Sequence, residues 1–574
     1  MATSDAPRDS GNKRNPLAAL RPLLAPLRAQ PVFAALFCAL AIATIVGHWS
    51  APIGPGQDYH YHLMSASLNA RPSSDPVAAL YHPISWLDAN TLIYRVAWPF
   101  EKLTDPVRAF GIAVLLAFYL GFPTAVAYAL HRSGRPPWAA LFAFPVVYCK
   151  AWSINGYVPF YTSATFMVLT LGEFDALLER RDERWRTAAW RGALAATLLF
   201  LAHGHVYAWT TVLLGFFTVI ACLRDLATVR AAGARAAVKR AVETALRSLV
   251  TIGPSLALFA LWYLRTHRGA AAAQSNTTLV PYSPPVESKL LSITTYLVHT
   301  RSETEGTFAA GLVVIGVVIA LFARRQLRQS HWFEAFSVLT LLSYFALPET
   351  VNGQSISPRH IDMALWAVPL AVWASDSRSR AKSASAPAAD GADADDAQKR
   401  PRFWQRPLIE WALILLVFSF SFARVRHITK ILNNAYTREL GPVVALTEPC
   451  RRARRTPFST LGYVTMTRES GILHSPHFHQ THETLAALCG VETPVYDSTI
   501  YPHNLLPLRY RAPMPAPVMV LERDPGWYNN AVLWQKYDLV LTAEWTPSPA
   551  DEEQVSRVAE LIGTSGTFRL YRRR

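Results

Sequence analysis

Long apolar runs, separated by short basic or mixed stretches, dominate the first three quarters of the chain. A helix needs about 20 mostly apolar residues to cross a bilayer core. Eleven runs approach that length, at 31–47, 109–130, 137–149, 157–177, 188–203, 205–223, 248–265, 307–323, 332–347, 358–374 and 407–423. The third and fifth are short, as tilted or re-entrant segments would be. Residues 84–100 are also apolar, but Asp88, Arg95 and nearby prolines favour a helix lying at the interface. The stretch 376–403 is rich in Ala, Asp and Ser. Such a stretch cannot bury a core, and it predicts a disordered cytoplasmic linker.

Past residue 423 the pattern changes. Short β-rich runs appear at 459–466, 516–522, 537–545 and 566–572, with helical patterns at 481–489 and 550–562. The alternation predicts a small α/β domain over 424–574, long enough for one core.

Composition agrees. Of 574 residues, 51% are apolar and only 17% charged, against about 25% in soluble domains. An ordinary cytosolic enzyme, a disordered chain and, with five Cys, a disulfide scaffold are excluded. The fold class is a polytopic α-helical membrane protein. The net charge of +16 raises nucleic acid as a partner, but the placement of the charges explains it otherwise. With residues 1–30 in the cytoplasm, the inner segments carry 27 Lys and Arg and the outer loops before 424 carry 7. That bias fixes orientation, and the inner basic residues meet anionic lipid headgroups. The first run reads as an uncleaved anchor. The membrane domain is then 31–423, its first outer loop is 48–106, and 424–574 lies outside, in the periplasm. Cys450 and Cys489 are the two cysteines of that outer domain, where an oxidising compartment would let them pair.

Candidate chemistry begins in the first outer loop, with GPGQDYHYH at 54–62. Asp58 shares a helix face with His62, or a strand face with both His60 and His62. A carboxylate beside imidazole can accept a proton from a hydroxyl, and the same set suits a divalent metal. The residues equally fit a helix cap with histidines at the headgroups. His203 and His205 flank Gly204 at a predicted outer turn, where ionisable groups mark function by default, or simply wet a helix end. Arg359 stands as the sole basic residue at the outer start of its run. Its fork suits phosphate, and a headgroup anchor is the other reading. Glu173 and Asp175, at an inner helix end beside Arg180 and Arg181, suit structural ion pairs. In the outer domain, His474, His477, His479 and His482 form a dense but irregular set, and Arg451, Arg452, Arg454 and Arg455 a basic run. Walker loops, Rossmann glycines and a G-x-S-x-G elbow are absent from the sequence.

An acidic residue in the first outer loop of a many-span chain resembles the GT-C glycosyltransferase superfamily. So do WSINGYVPFYTSATFMVLTLGEFDAL at 152–177, LLFLAHGHVYAW at 198–209, SPRHIDMALWAVPL at 357–370, and the YDLVLT and SGTFRLYRRR segments that end the chain. The resemblance implies an inverting, lipid-carrier-dependent transferase of a bacterial inner membrane. The donor is a polyprenyl-phosphate-linked sugar, the acceptor a glycan, lipid or protein, and no nucleotide or nucleic acid is needed. It implies Asp58 as the base, with Arg359, His203 and His205 holding phosphate and His60 and His62 at the substrate. An O-antigen polymerase or ligase, a transporter or flippase, and a non-catalytic assembly protein of envelope glycans are the rival readings.

Overall fold

The structure is a computed structural model. It describes the chain except residues 1–24, 52–53, 55–58, 73, 76–77, 79–80, 83, 149–156, 180–184, 230–232, 271–280, 298–330, 352–353, 372–407, 454–459, 467–495, 498–508, 511–520 and 523–525. Asp58, Cys489, the histidines at 474–482, the expected span at 307–323, the linker at 376–403 and the helical pattern at 481–489 therefore lie outside the described residues.

Among the described residues, the apolar runs lie in helices. They are α1 (Pro31–Ser50), α4 (Pro106–Val114) continuing through a π-helical turn (Leu115–Tyr119) into α5 (Gly121–Arg132), α7 (Val158–Leu178), α8 (Trp185–Ala202), α9 (Gly204–Leu226), α10 (Ala234–Ala270), α12 (Trp332–Ala346), α13 (Pro358–Ala371) and α14 (Leu408–Ala435). Among the described residues, five helical segments are long and apolar enough to cross a membrane: Pro31–Ser50, Pro106–Arg132, Gly204–Leu226, Ala234–Arg265 and Trp411–Cys450. The short third run is a 3-10 turn (Pro137–Phe142) followed by α6 (Ala143–Val147), broken where prolines interrupt it. Helix α14 runs past residue 423, where the last span was expected to end, because the amphipathic VRHITKILNNA continues its pattern. Between the spans lie α2 (Tyr59–Ala70), α3 (Leu92–Glu101) and α11 (Val286–Leu297). α3 is the short helix expected within 84–100.

Large apolar side chains are exposed along α9 (Val212, Phe216, Leu223), α10 (Leu249, Leu256, Leu261) and α12 (Val338, Leu342). In water such a surface would aggregate; facing lipid it costs nothing. Small residues bring helices close inside the bundle. A Cβ on Gly172 of α7 would sit 2.7 Å from the Ala129 Cβ of α5, so the two backbones touch as they do across membrane interfaces.

Ion pairs tie the other end of the bundle. Glu173 accepts from the Tyr128 hydroxyl and pairs with Arg132 at 3.1 Å and Arg191 at 3.2 Å, joining α5, α7 and α8. Glu179 accepts from Arg224 at 3.0 Å and from the Trp332 indole at 2.8 Å. Arg135, with its side chain 1% exposed, donates to Glu334 at 3.0 Å and to the Leu370 carbonyl, and it lies over the Phe333 ring. Glu173 thus serves structure, as the sequence implied, with partners from two neighbouring helices.

Beyond α14 the chain forms a mixed sheet ordered β10 (Ala559–Ser565), β11 (Phe568–Arg573), β9 (Leu539–Ala543), β5 (Thr460–Thr465) and β6 (Tyr496–Asp497), with β8 (Leu521–Glu522) also on β5. Strand β5 (Thr460–Thr465) pairs in parallel with β9 (Leu539–Ala543), and β11 (Phe568–Arg573) lies antiparallel between β9 and β10 (Ala559–Ser565). Three of the expected β runs are these strands or overlap them closely; of the fourth, Leu521–Glu522 is described as strand β8. The helix expected over 550–562 ends at Val558. Residues 559–565 instead form a hairpin with β11, because Gly566 takes a positive φ that turns the chain back. Alternation along β9 and β11 separates two cores. Leu539, Leu541, Phe568 and Leu570 join the bundle cluster, whereas Val540 and Tyr571 join Trp527, Trp534 and Trp545. A second, three-stranded sheet is made by β2 (Pro281–Tyr282), β3 (Thr350–Val351) and β4 (Gln354–Ser355). The pair β1 (Tyr81–His82) and β7 (Arg509–Tyr510) joins the segment between α2 and α3 to the C-terminal region.

Candidate active site

The site is built where α8 gives way to α9. His203 breaks the helix in an extended conformation, and its Nδ1 accepts from the Val206 amide that opens α9. The loop before α3 docks here: Thr91 N donates to the Leu201 carbonyl at 2.8 Å, and Asn90 Oδ1 accepts from Gly204 N at 3.2 Å. Asn90 does so from a positive φ, which Asn tolerates better than most residues. Arg265 near the end of α10 pairs with Asp88 of the same loop. Asp88 and Arg95 thus hold the loop, with Arg95 donating to the Ser85 carbonyl at 2.8 Å.

Helix α13 supplies the other wall. Its Arg359 is half-buried, with the guanidinium 5.6 Å from the ring centroids of both Tyr157 and Phe160. Phe160 also lies edge-on to His203, with ring centroids 5.2 Å apart. His360 follows, fully buried, its Nε2 3.1 Å from His205 Nε2 and its ring 4.7 Å from Trp209. On the far side of His360, Nδ1 meets the Ser343 hydroxyl of α12 at 2.5 Å. His203, His205 and Arg359 therefore converge, as their separate positions in the sequence did not reveal.

The segment 59–70 behaves differently. Residues 59–70 are helical, so the strand alternative for 60–62 is not realised there, and His60 and His62 project from different sides of α2. His62 is buried and hydrogen-bonds the Tyr94 hydroxyl at 2.6 Å; burial pushes its pKa down to about 3. His62 is thus a neutral imidazole, and it interacts electrostatically with His203. His60 is completely buried. Tyr59 opens α2 next to Asp58 in the chain, and Gly54 lies so close that a Cβ there would meet its ring at 2.8 Å. Gly54 and Tyr59 form one close contact. Beside it is a cavity of about 20 Å³, ringed by Tyr59, Tyr119, Tyr148, Tyr161 and His48, room for about one water.

Among the described residues no three His, Cys, Asp or Glu side chains are grouped to hold a metal ion. Cys450 is fully buried and disulfide-bonded, with its partner outside the described residues, while Cys38 and Cys222 are free. Arg452 of the basic run pairs at 3.0 Å with the partly exposed Glu448.

Two crystal structures of ArnT from Cupriavidus metallidurans are similar to this chain in fold along nearly its whole length. The structure bound to undecaprenyl phosphate aligns with a TM-score of 0.52 at 13% identity, covering 94% of this chain and 97% of that one. The apo structure aligns with a TM-score of 0.53 at 14% identity, covering 95% and 98%. The fold is GT-C-like. No family model matches the sequence, and no curated protein matches it. The GT-C-like fold was therefore visible in three dimensions and in a few loose sequence stretches, but not in overall sequence similarity. The residues that sequence reading passed over are His360, Ser343, Trp209 and Tyr157. Only His360 had a visible signal, its adjacency to Arg359 at a helix start.

Proposed function

We propose that the protein is a GT-C-type glycosyltransferase that takes a sugar from a polyprenyl-phosphate carrier on the outer face of a bacterial inner membrane. The observation that carries this reading is the meeting of Arg359 with His203 and His205, on a fold that an undecaprenyl-phosphate-bound enzyme shares end to end. A guanidinium fork beside imidazoles, walled by aromatic rings, is chemistry suited to a phosphate group at a membrane surface. Asp58 is the base. It would take the proton of the acceptor hydroxyl as the sugar inverts, and the carrier phosphate would leave towards Arg359. His62 and Tyr94 hold the helix that follows Asp58 in place. The C-terminal region, 424–574, is the periplasmic domain, covalently tied through Cys450 and Cys489.

Binding of undecaprenyl phosphate to the purified chain, together with sugar transfer in membranes, tests the reading. Arg359→Lys keeps the charge but loses the fork, and should weaken undecaprenyl phosphate binding by about 10- to 100-fold. Asp58→Asn should leave that binding intact and lower transfer by roughly 10²–10⁴-fold. Wild-type protein that does not bind undecaprenyl phosphate, or a fully active Asp58→Asn, would defeat it.

A further inference from the structure

The hydrogen bonds around His360 have a direction, and that direction fixes the role of His205. Ser343 has a single hydroxyl hydrogen. It lies 2.6 Å from the Thr340 carbonyl, which can only accept, so the hydrogen goes there. Ser343 Oγ is then an acceptor, and His360 must donate to it from Nδ1. A neutral His360 carrying its proton on Nδ1 has a bare Nε2. The imidazole at 3.1 Å must donate, so His205 carries a proton on Nε2. Trp209 holds the assembly from the side, packing on His360 and donating its indole N–H to Thr340 Oγ1 at 3.0 Å.

The chain of donors leaves one nitrogen unassigned, His205 Nδ1. In the neutral ring it is an acceptor, which cannot bind an anion. Protonated, it is a donor with the charge delocalised over a ring whose other N–H already has a partner. The added charge belongs to the pair: the proton between the two Nε2 atoms can rest on either ring, and in both placements His205 Nδ1 is a donor. Arg359 adds a fixed positive charge beside the pair, His203 stands at the start of α9, His62 faces His203 from α2, and Asp362 lies one turn along α13. Lys289 and Glu349 flank Tyr344, next to Ser343. Beside the Arg359 guanidinium, a second cation is stabilised when an anion binds against both.

We propose that His205 is a proton-carrying phosphate ligand, and that His360 and Ser343 are positioning residues that turn its Nδ1 to the site. Each phosphate group bound brings one proton with it. This rests on the carrier-phosphate reading above. The relay follows the logic by which a third group orients a base for a nucleophile, with an imidazole in place of a carboxylate.

The test is calorimetric titration of the full chain in detergent with undecaprenyl phosphate, in buffers of differing ionisation enthalpy. Wild-type protein should take up about one proton per phosphate bound. His360→Gln should keep that uptake, since its amide oxygen can accept from His205 and its NH₂ can donate to Ser343. His360→Leu should lose the uptake and bind about 10-fold or more weakly. Inorganic phosphate should compete and bring the same proton. Binding without proton uptake, or identical uptake in His360→Leu, overturns the relay while leaving the Arg359 site standing. Absence of carrier binding overturns both. The tautomer is also readable without ligand: ¹⁵N-histidine signals should show His205 protonated at Nε2 and bare at Nδ1, and the opposite pattern overturns the relay whatever binds.

Discussion

Glu173 offers the sharpest test of how the bundle is held. Its side chain is 2% exposed, while those of Arg132 and Arg191 are 19% and 33% exposed. Replacing it by Ala removes the acceptor that two guanidinium groups and the Tyr128 hydroxyl share. Breaking a buried ion pair from one side costs about 3–5 kcal/mol, because the remaining charge stays desolvated. Partial hydration of both arginines places the expected loss near the lower end, about 3 kcal/mol. Glu173→Gln retains an acceptor for Tyr128 but loses the charge, and should cost about 1.5–3 kcal/mol. Reversible unfolding by SDS in mixed micelles measures both. Carrier binding at low temperature should be unchanged in either variant, since the cluster is far along α7 from Phe160 and Arg359. A loss below about 1 kcal/mol, the range of exposed pairs, would show that the cluster is hydrated and that the buried-network reasoning fails.

Other outcomes can be checked alongside. Both Glu101 carboxylate oxygens are buried without a hydrogen-bond partner among the described residues, and burial raises the group from 4.5 to about 8. The fold favours the protonated form, so its contribution is full below pH 4.5 and is lost as pH rises through 8. Glu101→Gln should therefore be neutral at pH 4.5 and more stable than wild type at pH 8.5; even a third of the raise is worth about 1–2 kcal/mol. Equal thermal midpoints at both pH values would refute this. A reporter inserted at 390 should be active in the cytoplasm and one fused after 574 in the periplasm, as the basic-residue bias requires; the reverse pattern defeats the topology. Lys289→Met should raise hydrogen exchange in 281–297, because its ammonium donates to the Tyr344, Phe345 and Leu347 carbonyls; unchanged exchange would rule the anchor out.

Helix positions were legible because apolar runs of bilayer length carry a strong, redundant signal. Where that signal thinned, the ends moved. α14 extends past 423 because amphipathic helix and apolar span merge without a break, and the helix at 550–558 stops because a glycine hairpin outcompetes continued helical pattern. The candidate residues could be picked out of the sequence one by one, but not as a set. His203, His205 and Arg359 were each suggested by charge at membrane depth, yet 154 positions separate His205 from Arg359 in the numbering. His360 and Ser343 are ordinary polar residues in apolar helices, and their role is a matter of hydrogen-bond direction that no linear pattern encodes. The ion pairs of Glu173 were read towards Arg180 and Arg181 from sequence adjacency, whereas helix packing delivers Arg132 and Arg191.

The end of α12 is committed twice over. Thr340 and Ser343 anchor one side of the histidine pair, and the carbonyls of Tyr344, Phe345 and Leu347 seat the Lys289 ammonium that holds α11 and its neighbouring strand. Each residue along a helix turns by about 100° and advances about 1.5 Å. One residue inserted between Ser343 and Tyr344 would swing one set of partners off its face while leaving the other in register. The length of this segment is therefore a fixed ruler: side chains within it can be exchanged, but its spacing tolerates neither insertion nor deletion.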